Sequence, residues 1–254
     1  IYFHDIGDYL TREQKLETIA ELGSINGITE RQGWQEIIPD EFNDWLNQRD
    51  PNFDNYISLG DKKDKDALVV FENYSNGVKT NRDAWVYNYS IAELERNMKN
   101  TIGFYNLEVD KINLQYPNQE KNIDLTGVVD TDDTKISWTV NLQNDLKRRK
   151  KSEYKNDYIM NALYRPFTKQ HLYFNKQWIE RTLQIPKIFP NFQVANQVIS
   201  VTGRGSTKEF SALISSEIPD LEMISKGQCF PLDVYEFSDG IETAERTNER
   251  TKER

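Results

Sequence analysis

The sequence predicts an α+β fold, a mixed or antiparallel sheet with packed helices that include one long amphipathic helix near residues 90–113. Three observations predict it. Leu94, Met98, Ile102, Tyr105, Val109 and Ile112 form one apolar stripe at helical spacing, and Ser90 and Glu93 stand before it as a capping box. Short β-branched and aromatic runs are separated by turn formers such as Asn76-Gly77, Pro186, Gly203, Gly205, Pro219 and Gly227. Helices and strands follow one another without the regular alternation of a parallel α/β sheet.

In chain order, residues 1–6 read as a short strand. Thr11 opens a helix to about Leu22, with Gln14 completing its capping box. Residues 23–66 are rich in Gly, Asn, Asp and Trp and read as irregular, with a helical stretch over 40–46 presenting Phe42, Trp45 and Leu46. Strands are expected over 67–72 and 84–89, then the long helix, in which Gly103 costs about 1 kcal/mol relative to alanine. A polar connection over 117–133 and an extended piece over 136–138 lead to a helix over 140–151. Further strands are expected over 171–175, 197–202, 210–215 and 229–237. Residues 238–254 are charged, lack apolar anchors and are expected to be disordered.

With 254 residues and 37% hydrophobic content, the chain can bury a real core. It has no apolar run of membrane-spanning length and no basic head before an apolar block, so neither membrane insertion nor secretion is expected. Cys229 is the only cysteine, which excludes a disulfide framework and fits a cytoplasmic setting. The start at Ile1 reads as a cut from a longer chain. A net charge of −9 argues against a polyanionic partner, but the average hides a segregation. Residues 1–146 hold 14 Lys and Arg against 27 acids, residues 147–208 hold 13 against 3, and residues 209–254 hold 5 against 11. A cationic block between acidic flanks fits either one phosphate-binding surface or a set of solvated basic faces.

Catalytic signatures are absent. No phosphate-binding Gly-x-x-x-x-Gly-Lys-Ser/Thr motif occurs, nor does the Asn-Pro-Pro-Tyr element of adenine-N6 methyltransferases. His4 and His171 stand far apart, with no carboxylate cluster that would suggest a metal site. Gly203-Arg204-Gly205-Ser206-Thr207-Lys208 has the wrong spacing for a nucleotide loop and reads as a cationic loop for a phosphate or base edge. Pro39-Asp40 with Asp61-Lys62-Lys63 imitates a metal-dependent nuclease pattern, against which stands a solvated loop rich in Asp and Lys. The cations at 147–151 complement a helix C-terminus, but five in succession exceed what one helix end needs. Residues 164–174 mix cations with aromatics and read either as a binding segment or as a core hairpin with a structural arginine.

Six blocks carry a resemblance. They are Tyr2-Phe3-His4-Asp5-Ile6-Gly7-Asp8-Tyr9-Leu10, Thr80-Asn81-Arg82-Asp83-Ala84-Trp85-Val86-Tyr87-Asn88, residues 164–174, Pro186-Lys187-Ile188-Phe189-Pro190, residues 201–213, and Lys226-Gly227-Gln228-Cys229-Phe230-Pro231-Leu232. In that order they resemble the C-terminal part of Type ISP restriction-modification enzymes, over about residues 1–237. Those enzymes join a nuclease, an ATP-driven translocase, a coupling region, an adenine-N6 methyltransferase and a specificity domain in one chain. The resemblance implies that residues 1–22 end the methyltransferase and that 23–237 form a target recognition domain, with 238–254 as a polar tail.

It implies a segment that reads double-stranded DNA beside the adjoining methyltransferase, so that a target adenine can be flipped out. S-adenosylmethionine, ATP and Mg are implied for the full-length enzyme and no cofactor for this segment. Arg204, Ser206 and Lys208 are the candidates for base contacts; Lys147, Arg148, Arg149, Lys150, Lys151, Lys155, Lys169 and Lys187 are the candidates for phosphate contacts. Arg82, Arg165 and His171 lie beside aromatics and could equally be structural. No catalytic or metal-ligating residue is assigned. The rival readings are a free-standing nuclease using Asp40, Asp61 and Lys63, and a protein-interaction module whose acidic first half docks a basic partner.

Overall fold

The computed structural model describes residues 1–46, 50, 52–118, 123–237 and 244–247. The chain forms two compact units, Ile1–Ser58 and Leu59–Arg254. The junction expected after residue 22 thus falls inside the first unit.

In the first unit, β1 (Tyr2–Phe3) pairs antiparallel with β2 (Gln35–Glu36), with α1 (Arg12–Leu22) and α2 (Ile25–Glu30) between them in sequence. The Thr11 capping box forms as its residues predict, and Gly23 ends α1 at φ +65. The strand expected over 1–6 shortens to two residues, and α2 was not foreseen. The helix expected over 40–46 is a turn instead. Asp40 Oδ1 accepts the backbone N–H groups of Phe42 and Asp44, and Asn43 adopts φ +63, so a local side-chain bond displaces the helical ladder. No described residue of this unit is buried; Leu16, Ile19, Ile25 and Ile38 stay exposed.

The second unit runs β3 (Ser75–Asn76), α3 (Asp83–Val86), β4 (Tyr87–Asn88), α4 (Ile91–Gln115), α5 (Val140–Lys147), β5 (Ile159–Arg165), β6 (Thr168–Tyr173), α6 (Ile185–Ile188), β7 (Val198–Val201), β8 (Ala212–Ser215), β9 (Ile218–Pro219), β10 (Gln228–Pro231), β11 (Val234–Phe237) and β12 (Ala244–Thr247). One four-stranded sheet has the order β3-β10-β7-β8 and another β4-β6-β5-β9; β11 and β12 form a ribbon. All pairs are antiparallel except β5 with β9. The expected α+β class is therefore present, with one antiparallel and one mixed sheet.

The core is built on α4. Leu94, Met98, Tyr105, Val109 and Ile112 are wholly buried and Ile102 nearly so, as the stripe predicts. They meet Leu142 and Leu146 of α5, Leu172 and Tyr173 of β6, and Trp178 in one cluster. Glu108 also lies buried on α4, its carboxylate accepting from the Asp130 backbone at 3.1 Å and paired with Lys111.

Several sequence expectations give way to local chemistry. Residues 67–72 form no strand, because Phe71 N–H bonds the Leu59 carbonyl and closes a loop. Residues 83–86 coil into one helical turn on the Arg82 carbonyl, so the strand expected from 84 starts at Tyr87. The helix expected over 140–151 stops at Lys147, since Arg149 turns the chain at φ +57. The strand expected over 229–237 breaks where Leu232 and Asp233 bond Gln197 and Asn196. Within the tail expected to be disordered, residues 244–247 pair with β11 by backbone hydrogen bonds that need no apolar anchor; residues 238–243 and 248–254 lie outside the described residues.

Gly103 is exposed on α4, and a Cβ there would meet nothing within 4 Å. Gly103→Ala should raise the unfolding free energy by about 1 kcal/mol in chemical denaturation, by removing the conformational freedom of glycine in the unfolded chain.

Candidate nucleic-acid interface

The basic block begins where α5 ends, and its backbone is tied to α4. The Tyr105 hydroxyl donates to the Lys150 carbonyl at 2.8 Å, and Gln177 Nε2 donates to both the Tyr105 oxygen and that carbonyl. Asn106 exchanges two hydrogen bonds with the Ser152 backbone, at 2.8 and 2.9 Å. The Trp178 indole N–H donates to Ser152 Oγ at 2.8 Å, and its ring meets Tyr105 edge-on. The backbone is thus held at Lys150 and Ser152, while the side chains of Arg148, Lys150 and Lys151 are exposed.

Those side chains divide into two groups. Arg149 donates to the Lys147 and Tyr116 carbonyls, closing the helix end. Lys151 pairs with Asp110 at 2.7 Å and Lys169 with Glu217 at 2.5 Å. Lys150 meets Asp145 at 3.1 Å but also lines a cleft of about 590 Å³, together with Arg148, Lys176 and Arg181. Lys176 and Thr182 extend into a neighbouring cleft of about 760 Å³ lined also by Lys155. Across the two, Arg148, Lys150, Lys155, Lys176 and Arg181 face Asp145, Asp157 and Glu180, so cations prevail. Lys176 and Arg181 were missed from sequence. Arg181 is placed by an isolated bridge between its backbone and that of Lys79, a contact across a hundred residues that no local pattern signals. Lys187 is exposed on α6 and lines neither cleft.

Arg82 is structural. It is 4% exposed, and its guanidinium donates to the Gln177 and Trp178 carbonyls and to Thr139 Oγ1, at 3.3, 3.1 and 2.7 Å. Burial pulls its pKa down to about 10, against the opposing pull of Glu180. Arg82 Nε and Glu180 Oε2 are buried without a hydrogen-bond partner among the described residues. His171 sits within β6, with Nδ1 3.1 Å from Asn161 Oδ1 of the paired strand.

Residues 164–174 are the core hairpin alternative. Arg165 stacks on Tyr164 with 3.9 Å between guanidinium carbon and ring centroid, and binds Asp220 at 2.9 Å. Asp220 also accepts from Tyr87 Oη at 3.1 Å and from Glu222 N–H at 2.9 Å, and Tyr164 Oη donates to Asp83 at 2.9 Å. Burial pushes the Asp220 pKa up to about 6, the nearby Asp83 charge adds to it, and the Glu222 N–H, Arg165 and Tyr87 oppose it.

The 203–208 loop joins β7 to β8 and is fixed at its neck. A Cβ on Gly203 would lie 1.6 Å from the Lys226 carbonyl oxygen, so only glycine allows that approach. The Ser206 hydroxyl donates to Ser225 Oγ and accepts the Lys208 N–H, both at 2.9 Å, so Ser206 shapes the loop rather than reaching outward as expected. Lys226 Nζ donates to the Gly205 carbonyl at 2.9 Å. Arg204 and Lys208 are exposed on the loop.

The nuclease pattern dissolves into turns. Asp40 bonds its own turn in the first unit, and Asp61, in the second, accepts the Lys63 and Asp64 backbone N–H groups, which hold its pKa below the usual carboxylate value. Among the described residues, no group of three or more His, Cys, Asp or Glu side chains could hold a metal ion. None of their helices is long and apolar enough to cross a membrane.

A mixed sheet packed on one long helix, an antiparallel sheet that bears an exposed cationic loop, and a tied-down cationic segment fit a domain that recognises a polyanion. The chain belongs to the Type ISP C-terminal specificity domain family, whose model matches residues 69–252. It is similar to a nuclease-deletion mutant of the Type ISP restriction-modification enzyme LlaGI, solved in complex with a DNA substrate mimic, at 37% identity and a TM-score of 0.79 over 92% of this chain and 18% of that one. The ATP-dependent Type ISP restriction-modification enzyme LlaBIII bound to DNA matches at 34% identity and a TM-score of 0.81, over 97% of this chain and 16% of that one. A DrdV–DNA complex matches at 29% identity and a TM-score of 0.75, over 96% and 23%. The chain thus spans between about a sixth and a quarter of the solved chains it matches. Comparison with curated proteins gives no match.

The Asp220 geometry generates a pH dependence. Its folded pKa stands above the unfolded value of 3.8, so the fold holds that proton more tightly than the unfolded chain does. The stabilisation is complete below pH 3.8 and is lost as pH rises through about 6. Asp220→Asn should flatten that part of the stability profile, read as melting temperature between pH 4 and 7; an unchanged profile would show that Asp220 is not its source.

Proposed function

We propose that the chain recognises double-stranded DNA in a sequence-specific manner, as the specificity part of a longer Type ISP restriction-modification enzyme. The observation that carries this reading is the separation of cations into two sets. Arg149, Lys151, Lys169, Arg82 and Arg165 are tied to carbonyls or carboxylates, while Arg148, Lys155, Lys176, Arg181, Arg204 and Lys208 are exposed and form no ion pair among the described residues; Lys151 and Lys169 are exposed as well, so pairing rather than exposure divides the sets. Cations already paired with acids serve the fold, and unpaired ones are free to neutralise phosphates and release the counterions condensed on DNA. The DNA in the complexes of LlaGI, LlaBIII and DrdV supports the same partner.

In this reading the clefts bearing Arg148, Lys150, Lys155, Lys176 and Arg181 follow phosphates and set position, with Lys147 and Lys187 beside them. Arg204 and Lys208 reach base edges, with Ser206 holding the loop that presents them. The chain performs no chemistry itself. The adjoining methyltransferase, of which residues 1–22 are the end, supplies S-adenosylmethionine chemistry on a flipped adenine; other parts of the enzyme use ATP and Mg for translocation and cleavage, in the cytoplasm. The first unit, which buries none of its described residues, gains its core from that neighbour.

Replacing Arg148, Lys155, Lys176 and Arg181 by glutamine should weaken binding to all duplexes alike. It should also shallow the log–log salt slope by about 2 to 4, near 0.9 for each phosphate that is no longer neutralised. The matched replacement of Lys151 and Lys169 should leave the slope nearly unchanged. Gel-shift titrations across salt concentration measure both, and an equal effect of the two sets would remove the basis of the reading.

Arg204 stands on the loop between two glycines, and no acid occurs from residue 189 to 208. Arg204→Ala should cost about 1 to 3 kcal/mol of discrimination at one base pair, the worth of a bidentate guanine contact, with little change in non-specific affinity. Competition binding against single-substitution duplexes tests it, and uniform weakening on every sequence would make Arg204 a phosphate contact.

A further inference from the structure

The β7–β8 ribbon carries an exposed feature that the cationic residues do not explain. β8 is the last strand of its sheet, so among the described residues one of its backbone edges has no partner strand. Its register sets Val201 opposite Ala212 and Ile199 opposite Ile214, and the ladder continues one pair further through Thr202 N–H to the Ser211 carbonyl at 3.0 Å. Alternation places Ala212 and Ile214 on one side of the ribbon, and Phe210, two residues ahead of Ala212 in the chain leading into β8, continues that spacing. All three are exposed, Phe210 at 79% and Ile214 at 56%, whereas Val198 and Ser200 on the opposite side of β7 are buried. From Phe210 to Ile214 the stripe spans five residues, about 13 Å if extended.

Water disfavours a row of apolar groups along an open strand edge, and edge strands are ordinarily guarded by charge or proline. The sequence of β8, Ala-Leu-Ile-Ser, has neither. The loop leading into this strand is cationic at Arg204 and Lys208, and Lys226 is bonded to its backbone; Glu209 is the one acid in it. An apolar stripe beside cationic side chains fits a surface that offers hydrogen-bond acceptors next to methyl groups. The DNA major groove is such a surface: it is about 12 Å wide, admits a two-stranded ribbon, and presents the thymine 5-methyl as its apolar group.

We infer that the ribbon face bearing Phe210 and Ile214 enters the major groove of duplex DNA and reads thymine through its methyl group. Phe210 is a specificity-determining residue that acts beside Arg204. The exposed Glu209 is compatible with such a seat, since cytosine N4 donates to a carboxylate there. The inference rests on the reading of the chain as a DNA recognition domain, and its test separates the two.

Selection from a randomised duplex pool by the chain gives its preferred site, and each thymine of that site is then replaced singly by deoxyuridine, which removes only the methyl group. The chain should bind about fourfold more weakly at one or more of these positions, the worth of one buried methyl-sized group. Phe210→Ala should bind the thymine and deoxyuridine duplexes equally at such a position. Its melting temperature should be unchanged, because an exposed ring contributes little to the fold. A preferred site indifferent to every deoxyuridine, one lacking thymine, or an equal methyl effect in the variant would overturn the inference and leave the DNA reading standing; the last is also the outcome if the stripe docks on protein. Failure of any duplex to be enriched would overturn both.

Discussion

The hydrogen bond from the Tyr105 hydroxyl to the Lys150 carbonyl joins the helix that carries the core to the segment that carries the charge. Tyr105 is wholly buried, and its ring stands against Trp138 and Trp178. Burial pushes its pKa above the ordinary value, so the hydroxyl remains a donor throughout the physiological range. A buried hydroxyl without a partner costs about 1 to 3 kcal/mol, so the wholly buried Tyr105 disfavours paths that would carry the Lys150 carbonyl away from it. Repulsion among five consecutive cations is thus opposed by backbone bonds that do not depend on salt.

Internal charge in the second unit follows one pattern. Arg82 lies against Trp178 and donates to carbonyls, and Arg165 lies on Tyr164 and meets Asp220. In each case a planar guanidinium covers an aromatic face while its N–H groups find oxygen, a combination that an ammonium does not match. The lysines that line the clefts are compact charges on flexible stems, and they stand there together with Arg148 and Arg181, so arginine serves both places while lysine is kept to the surface.

Much of this was legible in the sequence. The stripe and cap of α4, the Thr11 box and the approximate positions of β7, β8 and β10 followed from periodicity, because each depends on contacts a few residues apart. The cationic block was visible as composition, but its division was not. Whether Arg149 serves a helix end or a ligand depends on Tyr116, thirty-three residues away, and Lys169 depends on Glu217. Short-range polar bonds misled the reading in the opposite direction. Asp40 imitated a helix start and Asp61 a metal ligand, when each satisfies nearby backbone donors. β5 escaped notice because most of its residues are only partly buried and it lacks a clean alternation.

The neck of the 203–208 loop separates what is fixed from what is free. At Gly203 a single added carbon would collide with backbone, whereas Arg204, Thr207, Lys208 and Phe210 face solvent. Changes at those four positions alter what the loop touches without altering what holds it. Mutational drift can therefore exchange one target for another at nearly constant folding free energy, so the scaffold places little restraint on how quickly such a domain acquires a new preference.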